Sequence, residues 1–143
     1  MGVDIMFLGK IYKPNERDFA VSSMPGAPDT NATLKIRLLN PAERREVMTS
    51  AFDTVYAIDE SGGAVPEMKV DNTKPAQNVF MKAVVGWDGF FEDAEGVVPL
   101  KYGVAGKKKL LSVLPELADF AMDCHKILIE EESERKQKET ENL

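Results

Sequence analysis

The chain has 143 residues, 18 Lys+Arg against 24 Asp+Glu, a formal net charge of −6 and 43% hydrophobic residues. That length suits one soluble domain with a real core, and the acidic balance disfavours a nucleic-acid binder, which needs a basic face to displace counterions. One Cys and one His exclude zinc ribbons, disulfide scaffolds and Cys/His metal clusters.

The N-terminal stretch, residues 1–32, is mixed. Ile5–Leu8 and Phe19–Val21 read as short strands, and Ser22–Asn31 reads as a loop because Pro25, Gly26 and Pro28 interrupt it. Ile5–Leu8 is too short for a signal-peptide core and follows Asp4 rather than a basic region. Gly2 lacks the Ser or Thr at position 6 that myristoylation wants; Met6 stands there. The sequon Asn31-Ala32-Thr33 means nothing without secretion, and no run approaches the ~18 apolar residues of a membrane span. A cytoplasmic protein with a reduced thiol is expected.

Residues 33–39 alternate, with Leu34, Ile36 and Leu38 on one face and Lys35 and Arg37 on the other, which predicts a half-buried strand. A helix is predicted over 40–60. Asn40 is a good N-cap, Pro41 loses nothing at the first position, and Glu43 can reach back to complete a capping box. Val47, Met48, Ala51, Phe52, Val55 and Ile58 recur at helical spacing, and Gly62-Gly63 is read as the stop.

A second helix starts near Thr73 and Pro75, buries Ala76, Val79, Phe80, Ala83 and Val84, and stops at Gly86. Gly86–Phe91, the acidic turn Glu92–Gly96 and Val97–Leu100 read as a small hairpin or open loop. A short helix is predicted over Gly106–Val113. Pro115 then opens a longer one with Leu117, Phe120, Ala121, Cys124, Ile127 and Leu128 on one face. Beyond Glu130 the pattern vanishes, so residues 1–129 form one domain and 130–143 a charged tail that projects or frays. That tail holds six acids and three bases, half of the net charge.

Catalytic and ligand motifs fail when tested. Gly103–Lys107 only faintly resembles a phosphate loop, because Lys101 and Lys108 occupy the positions of the first Gly and the Ser/Thr. Lys107-Lys108-Lys109 reads as a solvated face. Asp123, Cys124 and His125 are helical neighbours ~100° apart, so they cannot converge on one substrate. Cys124 is expected in the core and His125 at the surface. Glu92, Asp93 and Glu95 lack the alternating spacing of a calcium loop and read as a solvated turn. No catalytic, cofactor-binding or metal-binding residue is assigned. The cluster Trp87, Phe90 and Phe91 supplies the candidate partner-binding residues; large aromatics beside glycines serve either as core plugs or as interface anchors.

The string Val84–Leu100 has a Trp-x-Gly, an acidic Gly-turn and a Val-Pro-Leu step. Leu110–Ala118 ends in Pro115-Glu116-Leu117-Ala118, opening the last helix. With Leu34–Leu39 and Asn40–Arg44 upstream, roughly residues 33–130 resemble the tail assembly chaperone family of tailed bacteriophages. The resemblance implies a non-enzymatic, cofactor-free protein of the bacterial host cytoplasm that coats the tape-measure protein before tail-tube subunits assemble. It also implies self-association, absence from the mature virion and, in many relatives, a longer frameshifted product. The alternative is a structural virion component, such as a minor tail or head-completion protein. A small enzyme is the third possibility and would depend on Cys124 or His125. The expected fold is α+β and mainly helical, with a short N-terminal strand or hairpin element on three to four helices and a polar C-terminal helical extension.

Overall fold

A computed structural model of the chain describes residues 15–26 and 30–141. The expected strand Ile5–Leu8 lies outside them. The elements run β1 (Glu16–Ala20), a 3-10 turn (Val21–Ser23), β2 (Thr33–Arg37), α1 (Pro41–Thr49), β3 (Phe52–Ile58), β4 (Ala64–Val70), α2 (Lys74–Ala83), β5 (Val84–Asp88), α3 (Val104–Val113) and α4 (Glu116–Glu141). β1, β2 and β5 form an antiparallel sheet in that order, and β3 and β4 form a separate two-stranded sheet.

The strand expected at 33–39 sits at the centre of the larger sheet. Leu34 and Ile36 are completely buried and Lys35 is exposed, as alternation demands. Leu38, just past the strand's end, is half-buried against the same core, and Leu39 after it is completely buried. α4 lies along α2 and reaches β2, so Phe80, Leu117, Ala121 and Leu128 close the core over Leu34 and Ile36. Of the stripe expected on α4, Ile127 alone is exposed.

The start of α1 follows its sequence. Asn40 Oδ1 accepts from Glu43 N–H at 2.8 Å, and Glu43 Oε1 accepts from Asn40 N–H at 3.1 Å. Its end does not: α1 stops at Thr49, and Phe52–Ile58 is a strand. Thr54, Val55, Tyr56 and Ile58 are β-branched or aromatic residues, which lose rotamer freedom in a helix and suit a pleated surface. Gly62-Gly63 stops no helix. It belongs to the β3–β4 turn, where the Asp59 carboxylate accepts from the N–H groups of Ser61 and Gly63 at 3.0 and 2.8 Å, and Gly62 adopts φ +85°.

The expected buried stripe of the second helix is all in the core, but α2 ends at Ala83. Val84 begins β5, and Gly86 pairs with Lys35 inside the sheet. Thr73 precedes α2 without capping it, because its hydroxyl donates to Asp71 Oδ1 at 2.6 Å. These differences correct the mainly helical expectation. Among the described residues there are four α-helices and five strands in two sheets, a mixed α/β fold.

α4 continues to Glu141 rather than fraying at Glu130. Arg17 pairs with Glu131 and Arg44 with Glu132, tying its first polar turn to the body, while residues 133–140 are exposed. Among the described residues no helix is long and apolar enough to cross a membrane.

Candidate interaction surfaces

Trp87 comes from β5, opposite Leu34 in the register. Its Nε1–H donates to Leu100 O at 2.9 Å. Its ring meets Phe90 (centroids 6.3 Å apart, 86° between planes) and Tyr102 (5.1 Å, 65°) edge-on, the geometry aromatic quadrupoles favour. Gly89, at φ +84°, passes so close to the backbone that a Cβ there would stand 2.8 Å from Ala32 Cα. The loop then doubles back as expected. Phe91 bridges Pro99, Glu92 N–H donates to Val98 O, and Leu100 N–H donates to Phe90 O.

The acidic turn is organised by one of its acids. The Asp93 carboxylate accepts from Val98 N–H at 2.8 Å and from Val97 N–H at 3.1 Å, and these donors hold its carboxyl below the usual range. The three candidate aromatics therefore separate. Trp87 and Phe90 are half-buried against the core, whereas Phe91 is 46% exposed.

Lys107 corrects the reading of a solvated lysine face. It is buried; its Nζ donates to Met81 O at 2.7 Å and lies 5.1 Å from the Tyr102 ring centroid. Met81 belongs to the last turn of α2, whose free carbonyls and dipole favour a cation there. Lys108 and Lys109 alone remain at the surface.

Cys124 is buried, as expected, and burial pushes its thiol up to about 12. His125 is not at the surface: it is 4% exposed, and its Nε2 accepts from Leu39 N–H at 2.9 Å. That bond occupies the lone pair a general base would use and leaves the ring proton on Nδ1. Burial, then the nearby Arg44 and Arg37, pushes the imidazole down to about 4, against a smaller opposing pull from Glu43. Arg37 in turn grips Glu43 with two bonds of 2.9 and 2.7 Å, which hold that carboxyl down to about 2. This junction stitches the end of β2 and the start of α1 to α4. An apolar hollow of about 180 Å³ opens beside it, lined by Leu39, Val47, Met48, Val79 and Met122.

The feature the sequence reading missed is the β3–β4 hairpin. Directly opposed pairs share a face, so Phe52–Val70, Thr54–Met68, Tyr56–Pro66 and Ile58–Ala64 line one side. Seven of those eight residues are apolar, and all eight are exposed, with Tyr56 at 71% and Ile58 at 81%. The other side pairs Asp53 with Lys69, Val55 with Glu67 and Ala57 with Val65. The signal was the alternation at 52, 54, 56 and 58.

Among the described residues no group of three or more His, Cys, Asp or Glu side chains could hold a metal ion. No family model, curated protein or solved structure matches the chain.

Proposed function

We propose that the chain is a tail assembly chaperone of a tailed bacteriophage: a non-enzymatic, self-associating protein of the host cytoplasm. It binds the tape-measure protein and promotes assembly of tail-tube subunits around it. The observation that carries this reading is the uncovered apolar face of the β3–β4 hairpin. Monomeric proteins rarely leave contiguous apolar surface of this kind without a partner, and a long partner needs an apolar seat with polar margins. The resemblance of Val84–Leu100 and Leu110–Ala118 supplies the identity of that partner. Phe91, exposed on the loop that follows β5, is the candidate anchor outside the hairpin, while Trp87 and Phe90 hold that loop in place.

The test is co-expression with the tape-measure protein of the same tail module, followed by affinity purification and mass spectrometry of mature particles. The two proteins should co-purify, and the particles should lack this chain. Its presence in virions at a fixed stoichiometry would replace this reading with that of a structural component.

A further inference from the structure

We propose that the outer edge of β3 is the surface on which a second copy of this chain pairs, antiparallel, about a two-fold axis at Val55. The inference rests on the self-association put forward above and gives it a surface and a register.

The phase of the hairpin ladder decides which edge is available. Asp59 N–H donates to Gly63 O at 2.9 Å, and Asp71 N–H donates to Ala51 O at 2.7 Å. Odd-numbered residues of both strands therefore aim their backbone groups across the hairpin, and even-numbered ones aim them outward. On β4 the outward positions include Pro66, which has no N–H, so that edge is interrupted at its middle. On β3 the outward positions are Phe52, Thr54, Tyr56 and Ile58, and each keeps both donor and acceptor. Among the described residues no backbone group pairs with that edge. An uncovered edge is a template for another strand, and a lone two-stranded sheet is marginal in water.

The sequence of β3 is self-complementary about Val55. The axis there pairs Phe52 with Ile58 of the second copy, Asp53 with Ala57, Thr54 with Tyr56, and Val55 with itself. All seven residues then find partners, and Asp53, the only charged residue of the strand, faces a methyl group. Moving the axis to Thr54 leaves Ile58 unpaired. Moving it to Tyr56 leaves Phe52 unpaired and sets Asp53 against Asp59, which like charges oppose. The favoured register also places the two apolar faces on the same side of a four-stranded sheet ordered β4–β3–β3–β4.

Two experiments test this on the full chain. Tyr56→Pro removes one outward donor and spares the hairpin's own ladder. It should weaken the dimer about 30-fold in analytical ultracentrifugation, and its melting temperature should match the wild type's at concentrations where both are monomeric. Val55→Cys should cross-link to its own copy under mild oxidation, because a non-hydrogen-bonded pair brings Cβ atoms within disulfide reach; Ala57→Cys should not. The native Cys124 is buried, so the wild type serves as the blank. A wild type that sediments as a monomer at all concentrations overturns this inference and the self-association together. A dimer with no cross-link at position 55 overturns this surface and leaves the self-association standing, even if Tyr56→Pro fails to fold.

Discussion

Lowering the pH should destabilise this protein through one residue before any carboxylate contributes. His125 is the only histidine, and the fold holds it near 4, against 6.5 for the free side chain. The folded state therefore binds its proton more weakly than the unfolded chain does. The stabilisation is complete above pH 6.5 and is lost as pH falls through 4. The gap between 6.5 and about 4, at 1.36 kcal/mol per pH unit, amounts to about 3 kcal/mol, most of which should be gone by pH 4.5. Glu43, held at about 2 against an ordinary 4.5, adds its loss only below pH 4.5, so the windows are nearly separate. The geometry explains the cost: a proton on Nε2 would point at Leu39 N–H, a second donor at 2.9 Å. Urea denaturation at stepped pH should show the loss between 6.5 and 4.5. His125→Gln, which offers an amide oxygen to Leu39 N–H and does not titrate, should flatten it. NMR of the single imidazole reads the titration directly. A His125 pKa of 6 or above, or flat stability across that window, would refute the reasoning.

Two further substitutions check the packing around Trp87. Gly106→Ala sits inside α3, where alanine ordinarily helps, but its Cβ would collide with Lys101 O and stand 2.9 Å from Trp87 Cζ2. The variant should lose about 1–3 kcal/mol in thermal or urea melts, and a gain would mean that α3 does not rest on the indole. Phe90→Ser should cost about 1–3 kcal/mol, whereas Phe91→Ser should stay within about 0.5 kcal/mol by the same melts; equal losses would place Phe91 in the core.

The parts of the fold legible in the sequence are those where local chemistry and tertiary packing agree. Leu34 and Ile36 alternate because one face of β2 is buried, and Asn40 with Glu43 announces a helix start that needs no distant partner. The apolar stripes of α2 and α4 were readable for the same reason. The β3–β4 hairpin was hidden by a coincidence of periods. Val47, Met48, Ala51, Phe52, Val55 and Ile58 fit a helix, while 52, 54, 56 and 58 fit a strand equally well. Pro66 further obscures β4, since proline is rare within strands except at an edge. His125 and Lys107 read as surface residues because their partners, the Leu39 N–H and the Met81 carbonyl, come from distant segments. Of the three candidate aromatics, composition could not separate the two that brace the loop from Phe91, because that distinction depends on where the loop folds back.

Pro66 gives the hairpin a valence of one. Strands with two open edges add partners on both sides and grow into filaments, because every addition regenerates the template that accepted it. Here, an added strand consumes the one intact edge and leaves the proline-interrupted edges outermost, so growth terminates instead of propagating. A protein displaying this much uncovered β surface would otherwise be an aggregation hazard. A single missing N–H converts open-ended polymerisation into a closed stoichiometry.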